Sequence, residues 1–214
     1  MNIYHNINNN KNILLLFGGF ASHFSHFQSF IPSNYDWILL SHYQHLNFSA
    51  LENLLLPLRS KNLHLLGFSM GVWVAHLFLN RDSIAFDFKS KTAVNGTEYG
   101  IHETYGIHPK LFVLTQKKFN LESFKQNLFG IHYPPPKDFL FLEESLLKDE
   151  LKFFLDYQYH IENSSKWDRI IISSNDLIFP TQAQKNFWSH QAYKQQILEI
   201  NAPHFAFFDW KILC

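Results

Sequence analysis

The chain has one cysteine, Cys214, its last residue. A single thiol cannot close an internal disulfide, so the fold must rest on packing, which suits a reducing compartment. Charge of either sign is not in excess: 18 Lys and Arg face 18 Asp and Glu. That balance excludes a protein built mainly to coat nucleic acid, which needs clustered surplus cations. No apolar run approaches the roughly 20 residues that span a bilayer. The start, Met1-Asn2-Ile3-Tyr4-His5, lacks the basic and apolar regions of a secretion signal. A soluble, cytoplasmic monomer is the expectation. What is abundant is apolar side chain, 46% of 214 residues with Phe in marked excess, enough for a sizeable core in one domain spanning 1–214.

Short apolar runs end at turn residues along the chain. Ile13 to Phe17 stops at Gly18-Gly19, and Trp37 to Leu40 follows a polar turn. Leu63 to Leu66 stops at Gly67, and Lys91 to Val94 at Asn95-Gly96. Arg169 to Ser173 stops at Ser174-Asn175-Asp176, and Gln196 to Ile200 at Asn201. Continuous runs of this length read as strands buried on both faces, the pattern of a parallel sheet. Helices fit between them. Ser49-Ala50-Leu51-Glu52 has the capping-box spacing with Pro57 as a stop, and Thr181 to Gln184 repeats the spacing. Val72 to Leu79 is apolar enough to lie against a sheet. The sum is an α/β fold with about six parallel strands flanked by helices. Residues Asn6 to Asn12 read as a loop. From about 98 to 167 no comparable strand run occurs; this aromatic stretch, with a helical pattern over Phe139 to Asp156, reads as a helical cap insertion. Its aromatics either cover an apolar pocket or form a small core of their own.

Gly67-Phe68-Ser69-Met70-Gly71 lies between a strand run and an apolar helix. A serine there sits on a sharp strand-to-helix turn, the nucleophile elbow, with its hydroxyl lifted clear and the first helical amides, Met70 N–H among them, aimed at the same point. A hydroxyl needs a base. Among 13 histidines, chain order selects His204, which follows the last strand run, and selects Asp176, which ends the preceding one. Their separation of 204 − 176 = 28 residues leaves room for a helix and a strand. Asp209 follows the histidine. Asp82 and Asp87 fall at the wrong edge, His190 closes a helix, and His64 reads as a satisfied core histidine. The second oxyanion donor should come from the glycine turn after the first sheet strand, where Gly18 and Gly19 allow close approach and Phe20 N–H would donate. Lys110, Lys117, Lys118 and Lys125 form a basic stretch that is either a docking patch or an ordinary solvated face.

With these residues placed, the chain resembles the BioG family of short α/β-hydrolases. The resemblance rests on "FSMGVWVAH" at the elbow, "KTAVNGT" at the following strand, "YGIHP" at the start of the insertion, "ISSNDLIF" at the acid and "APHFAFF" at the base. It departs at Phe20, where the family commonly has tryptophan. The resemblance implies an α/β-hydrolase fold and hydrolysis of the methyl ester of pimeloyl-[acyl-carrier protein] in biotin synthesis. It implies Ser69 as nucleophile, His204 as base, Asp176 as its support, and no cofactor or metal. The partner would be an acidic acyl carrier protein, met by the four lysines. A general short-chain carboxylesterase, an acyl thioesterase and a catalytically dead binding module stay open as alternatives.

Overall fold

The computed structural model describes residues 1–81, 86–157, 159–161, 163–189 and 197–211. Among the described residues seven strands make one sheet: β1 (Asn2–Asn6), β2 (Asn12–Phe17), β3 (Tyr35–Ser41), β4 (Asn62–Phe68), β5 (Phe88–Val94), β6 (Arg169–Ser173) and β7 (Ile197–Ile200). Their spatial order is β1-β3-β2-β4-β5-β6-β7. Six strands run parallel, as the buried runs require, and β1 adds an antiparallel edge against β3, from Asn2 opposite Ser41 to Asn6 opposite Trp37. The sequence pattern misses β1 because an edge strand needs no continuous apolar run; Asn2, His5 and Asn6 are acceptable beside solvent.

The central strands are buried on both faces. In β2, Ile13, Leu15 and Phe17 enter one core cluster, while Leu14 and Leu16 enter the other. This period of two is what the uninterrupted run Ile13 to Phe17 conceals, since neither face meets water. Helix α1 (Ser49–Leu55) and helix α2 (Met70–Leu79) cover the Ile13 face. Helix α2 is buried from Met70 through Phe78. It has the sheet on one side and Tyr159, Ile161 and Ser165 on the other, where Trp73 Nε1 donates to Tyr159 O at 2.9 Å and His76 Nδ1 meets Ser165 Oγ at 2.7 Å.

Between β5 and β6 lie α3 (Pro109–Lys117), α4 (Leu121–Phe129) and α5 (Glu144–Asp156), and α6 (Thr181–Trp188) joins β6 to β7. Helix α5 starts at Glu144, not at Phe139; the preceding prolines hold a turn in which Phe139 N–H donates to Pro136 O at 3.0 Å. The aromatics of this segment divide their work. Phe119 and Phe124 line a cavity, whereas Phe129 and Phe139 pack on Phe205. Neither expected capping box forms. Ser49 and Thr181 are the first helical residues, after Phe48 and Pro180. The Thr181 hydroxyl donates instead to Ser173 O at 2.9 Å, tying α6 to the end of β6. Pro57 falls within a short 3₁₀ turn, Leu56–Leu58, that extends α1 before the chain stops. Gln196, expected to open β7, lies outside the described residues.

No described helix is long and apolar enough to cross a membrane.

Candidate active site

The elbow is strained as its position requires. Ser69 has φ 56 and ψ −127, a region costly to any residue with a Cβ, by roughly 1–3 kcal/mol. Its amide is held by Val94 O at 2.8 Å, so the end of β5 fixes the turn from beside it. Close approach of the next layer demands glycine. A Cβ on Gly71 would stand 2.5 Å from Gly18 O, and one on Gly19 would stand 2.6 Å from Ser69 Cβ. The first turn of α2, the glycine turn after β2 and the serine side chain are therefore stacked in direct contact.

Asp176, after β6, and His204, after β7, come together across 28 residues. His204 Nδ1 and Asp176 Oδ2 are 2.7 Å apart, and both side chains are buried. An ionised carboxylate only accepts, so Nδ1 carries the proton and Nε2 keeps its lone pair. Asp176 is itself held on every side. Oδ1 accepts from Ile178 N–H at 2.9 Å and Phe179 N–H at 2.8 Å, and Oδ2 accepts from Gln184 Nε2 at 3.1 Å. The imidazole lies against the ring of Phe68, the residue before the nucleophile, with centroids 5.0 Å apart. Ser69 Oγ has no hydrogen-bond partner among the described residues. Such contacts are often long before substrate arrives and tighten only in the complex.

Phe20 N–H makes no hydrogen bond among the described residues, whereas its neighbours in the turn are engaged: Gly18 N–H donates to Leu40 O at 2.8 Å and Ser22 N–H to Gly19 O at 3.2 Å. Met70, the first residue of α2, has no helical carbonyl four residues behind it for its amide. Phe20, Ser69 and Met70 line one cavity of about 380 Å³, the size of a small-molecule site. Phe20, Ile107, Phe112, Phe119, Phe124 and Leu151 give it apolar walls, and Thr115, Asn120, Ser123 and Asn127 add polar atoms.

The four lysines do not share one fate. Lys118 stands exposed at the cavity rim. Lys110 and Lys117 are exposed on α3, beside the outward side chains of Leu111 and Leu114. Lys125 is half-buried, its ammonium 5.1 Å from the Phe141 ring centre and 3.5 Å from Glu122. The residues passed over have other partners. His64 is satisfied but half-buried rather than in the core, its Nδ1 paired with Ser90 Oγ at 2.8 Å; Asp87 pairs with Lys89, and Asp209 is bound to His132 at 2.9 Å. Asp82, His190 and Cys214 lie outside the described residues. Among the described residues no cluster of three His, Cys, Asp or Glu side chains is arranged to hold a metal.

Sequence reasoning missed Asn95, which is fully buried at φ 49. Its Nδ2 donates to His204 O at 2.7 Å and to Ser173 Oγ at 2.8 Å, and its Oδ1 accepts from Ser173 N–H at 2.7 Å. One amide thus joins the ends of β5 and β6 to the backbone of the histidine. The left-handed turn Asn95-Gly96 was legible as a turn, but not its partner 109 residues on.

Known proteins share this fold. Among solved structures, BioG from Haemophilus influenzae superposes with TM-score 0.83 at 23% identity, covering 100% of this chain and 98% of that one. An esterase from Exiguobacterium antarcticum gives 0.67 at 15% identity, covering 97% and 90%. An α/β-hydrolase from a Medee basin deep-sea metagenome gives 0.67 at 16%. The fold is the α/β-hydrolase fold. In sequence, the chain is 28% identical over 215 residues to a malonyl-[acyl-carrier protein] O-methyltransferase of Bacteroides fragilis (strain 638R), covering 95% of this chain and 41% of that protein. It spans about two fifths of that relative's length. An uncharacterized protein of Haemophilus influenzae is 27% identical over 186 residues, covering 83% of this chain and 80% of the relative. The model of the family described as pimeloyl-ACP methyl esterase BioG matches residues 1–130, which carry the glycine turn, the elbow and the lysines, and the chain belongs to that family.

Proposed function

We propose that the chain is a serine esterase that hydrolyses the methyl ester of pimeloyl-[acyl-carrier protein], giving pimeloyl-[acyl-carrier protein] and methanol for biotin synthesis. The observation that carries this reading is the buried His204–Asp176 pair, 2.7 Å apart, packed on Phe68, the residue before a serine on a strained elbow that lines an apolar cavity. The family match supports the substrate.

In this reading Ser69 Oγ attacks the ester carbonyl while His204 Nε2 takes its proton. The carbonyl oxygen becomes an oxyanion between the Phe20 and Met70 amides. A donor of this kind is worth roughly 100-fold or more in rate. The imidazolium, steadied by Asp176, then protonates departing methanol. Water deprotonated by His204 attacks the acyl-serine, and Ser69 recovers its proton as the free carboxylate leaves. The cavity takes the pimeloyl chain, and the segment 98–167 acts as a cap over it. Lys118 at the rim, with Lys110 and Lys117 on α3, meets the acidic carrier and mainly raises the association rate. Lys125, occupied by Phe141 and Glu122, contributes less.

The test offers the purified chain the carrier-linked methyl ester and a free short methyl ester, and follows methanol release. The proposal expects cleavage of the carrier-linked ester with a much higher kcat/KM than the free ester, and none by Ser69→Ala. Equal turnover of both esters makes this a general carboxylesterase. Release of the acyl chain from the carrier makes it a thioesterase. No turnover of either removes the enzyme reading.

A further inference from the structure

Glu150 on α5 is fully buried, and its two carboxylate oxygens serve two different loops. Oε2 accepts from Ala21 N–H at 3.1 Å, in the glycine turn after β2, and Oε1 accepts from Tyr43 N–H at 3.0 Å, after β3. Among the described residues no Lys or Arg pairs with it. Burying a carboxylate against backbone amides alone is a costly way to hold a fold together, so its placement calls for another reason. The turn supplies one. Tyr43 Oη donates to Gly18 O at 3.0 Å, Ser22 N–H donates to Gly19 O, and Ala21 N–H goes to Glu150, leaving Phe20 N–H unengaged. Ala21 sits at φ 61, a conformation an alanine keeps only when its surroundings impose it. Through Tyr43, the same carboxylate also holds the residue that clamps the other end of the turn.

We infer that Glu150 is a positioning residue for ester cleavage, which from α5 fixes the glycine turn so that the Phe20 amide faces Ser69. This rests on the proposed ester cleavage with Phe20 as an oxyanion donor. It makes α5, in the segment that covers the cavity, a structural support of the transition state. Both oxygens must accept. Glu150→Gln presents an NH₂ to one of the two amides and loses that bond; Glu150→Ala loses both. Burial pushes the carboxyl up to about 7, against the lowering by the two amides. The groups facing it from other elements are the Tyr43 phenol, itself raised by burial and by Glu150, and the Met1 amino group; Asp149 on its own helix faces His42. Near neutrality the carboxyl therefore exchanges between a form that accepts well at both oxygens and one that does not.

The test measures kcat and KM on the carrier-linked methyl ester for wild type, Glu150→Gln and Glu150→Ala, normalised to titrated active sites. It is paired with proton NMR of the Ala21 and Tyr43 amides. Expected are a kcat about 10-fold lower in Glu150→Gln and lower again in Glu150→Ala, with KM within about 3-fold, because the misplaced donor acts on the transition state. In wild type the two amide signals should shift together between pH 5 and 9, and not in Glu150→Gln. If wild type cleaves the ester and both variants keep kcat within twofold, Glu150 has no positioning role and the proposed function stands. If wild type does not cleave at all, the proposed function falls and the role of Glu150 with it. Should neither variant fold, Glu150→Asp, which keeps a carboxylate but draws it back by one methylene, decides: a lowered kcat at unchanged KM supports the positioning role, and a kcat within twofold of wild type overturns it.

Discussion

Gly19→Ala separates the geometry of the site from the stability of the fold. A Cβ at residue 19 would stand 2.6 Å from Ser69 Cβ, 3.2 Å from Ser69 Oγ and 3.1 Å from Phe68 O. Ordinary contact begins at 3.4 Å, so turn and elbow must part by 3.4 − 2.6 = 0.8 Å to restore it. The elbow is held by β5 and α2, so the glycine turn moves, and the Phe20 amide moves with it. Misplacement of about 1 Å costs on the order of 100-fold, and an oxyanion donor out of reach costs about the same or more. The backbone of Gly19 is not in the left-handed region, so alanine also restricts the unfolded chain, a gain of roughly 0.4–1 kcal/mol that offsets part of the strain. The expected result is a kcat on the carrier-linked ester about 100-fold down, with Tm within about 5 °C of wild type. The assay is steady-state methanol release beside differential scanning calorimetry. A variant with kcat within 3-fold of wild type would refute the packing of turn on nucleophile. A variant that simply unfolds would refute the claim that the position is a matter of site geometry.

Three further outcomes follow from named contacts. Asn95→Ala strips partners from Ser173 N–H, Ser173 Oγ and His204 O; at roughly 1 kcal/mol per bond it should lower stability by about 2–3 kcal/mol in urea unfolding and, through the freed histidine, lower kcat about 10-fold. Glu150 titrates near 7 in the fold against 4.5 in the unfolded chain, so the folded state binds more protons between those values and its contribution to stability falls as pH rises through that window. Glu150→Gln should flatten that slope in urea midpoints taken at pH 4.5 to 7, and an unchanged slope would contradict the assignment. Reversing charge at Lys110, Lys117 and Lys118 together should lower kcat/KM for the carrier-linked ester about 10-fold at low salt, with little change at high salt or on a free ester.

The parallel strands were legible because a sheet covered on both faces needs short apolar runs that end at turn residues, such as Ile13 to Phe17 before Gly18-Gly19 and Arg169 to Ser173 before Ser174-Asn175. Asp176 and His204 were legible from chain order alone, since each follows a strand that ends at the same edge. Strand β1 was not, because its pairing with β3 is all that makes Asn2–Asn6 a strand. The capping boxes failed for a related reason: Thr181 prefers the carbonyl of Ser173, a partner supplied by the sheet rather than by its own helix. Glu150 carries no local signal at all. It occupies one position of a helical pattern, and its partners are backbone amides 129 and 107 residues away. Lys125 read as one of four equivalent lysines, and only folding reveals its engagement with Phe141.

Covalent capture of the nucleophile probes whether Ser69 and His204 work together. Treating the purified chain with a fluorophosphonate and mapping the adduct by peptide mass spectrometry should give one modified residue, Ser69, with labelling slowed by several orders of magnitude in His204→Ala. An unmodified Ser69, or labelling that proceeds as fast without the imidazole, would contradict the convergence of these side chains into a working esterase site.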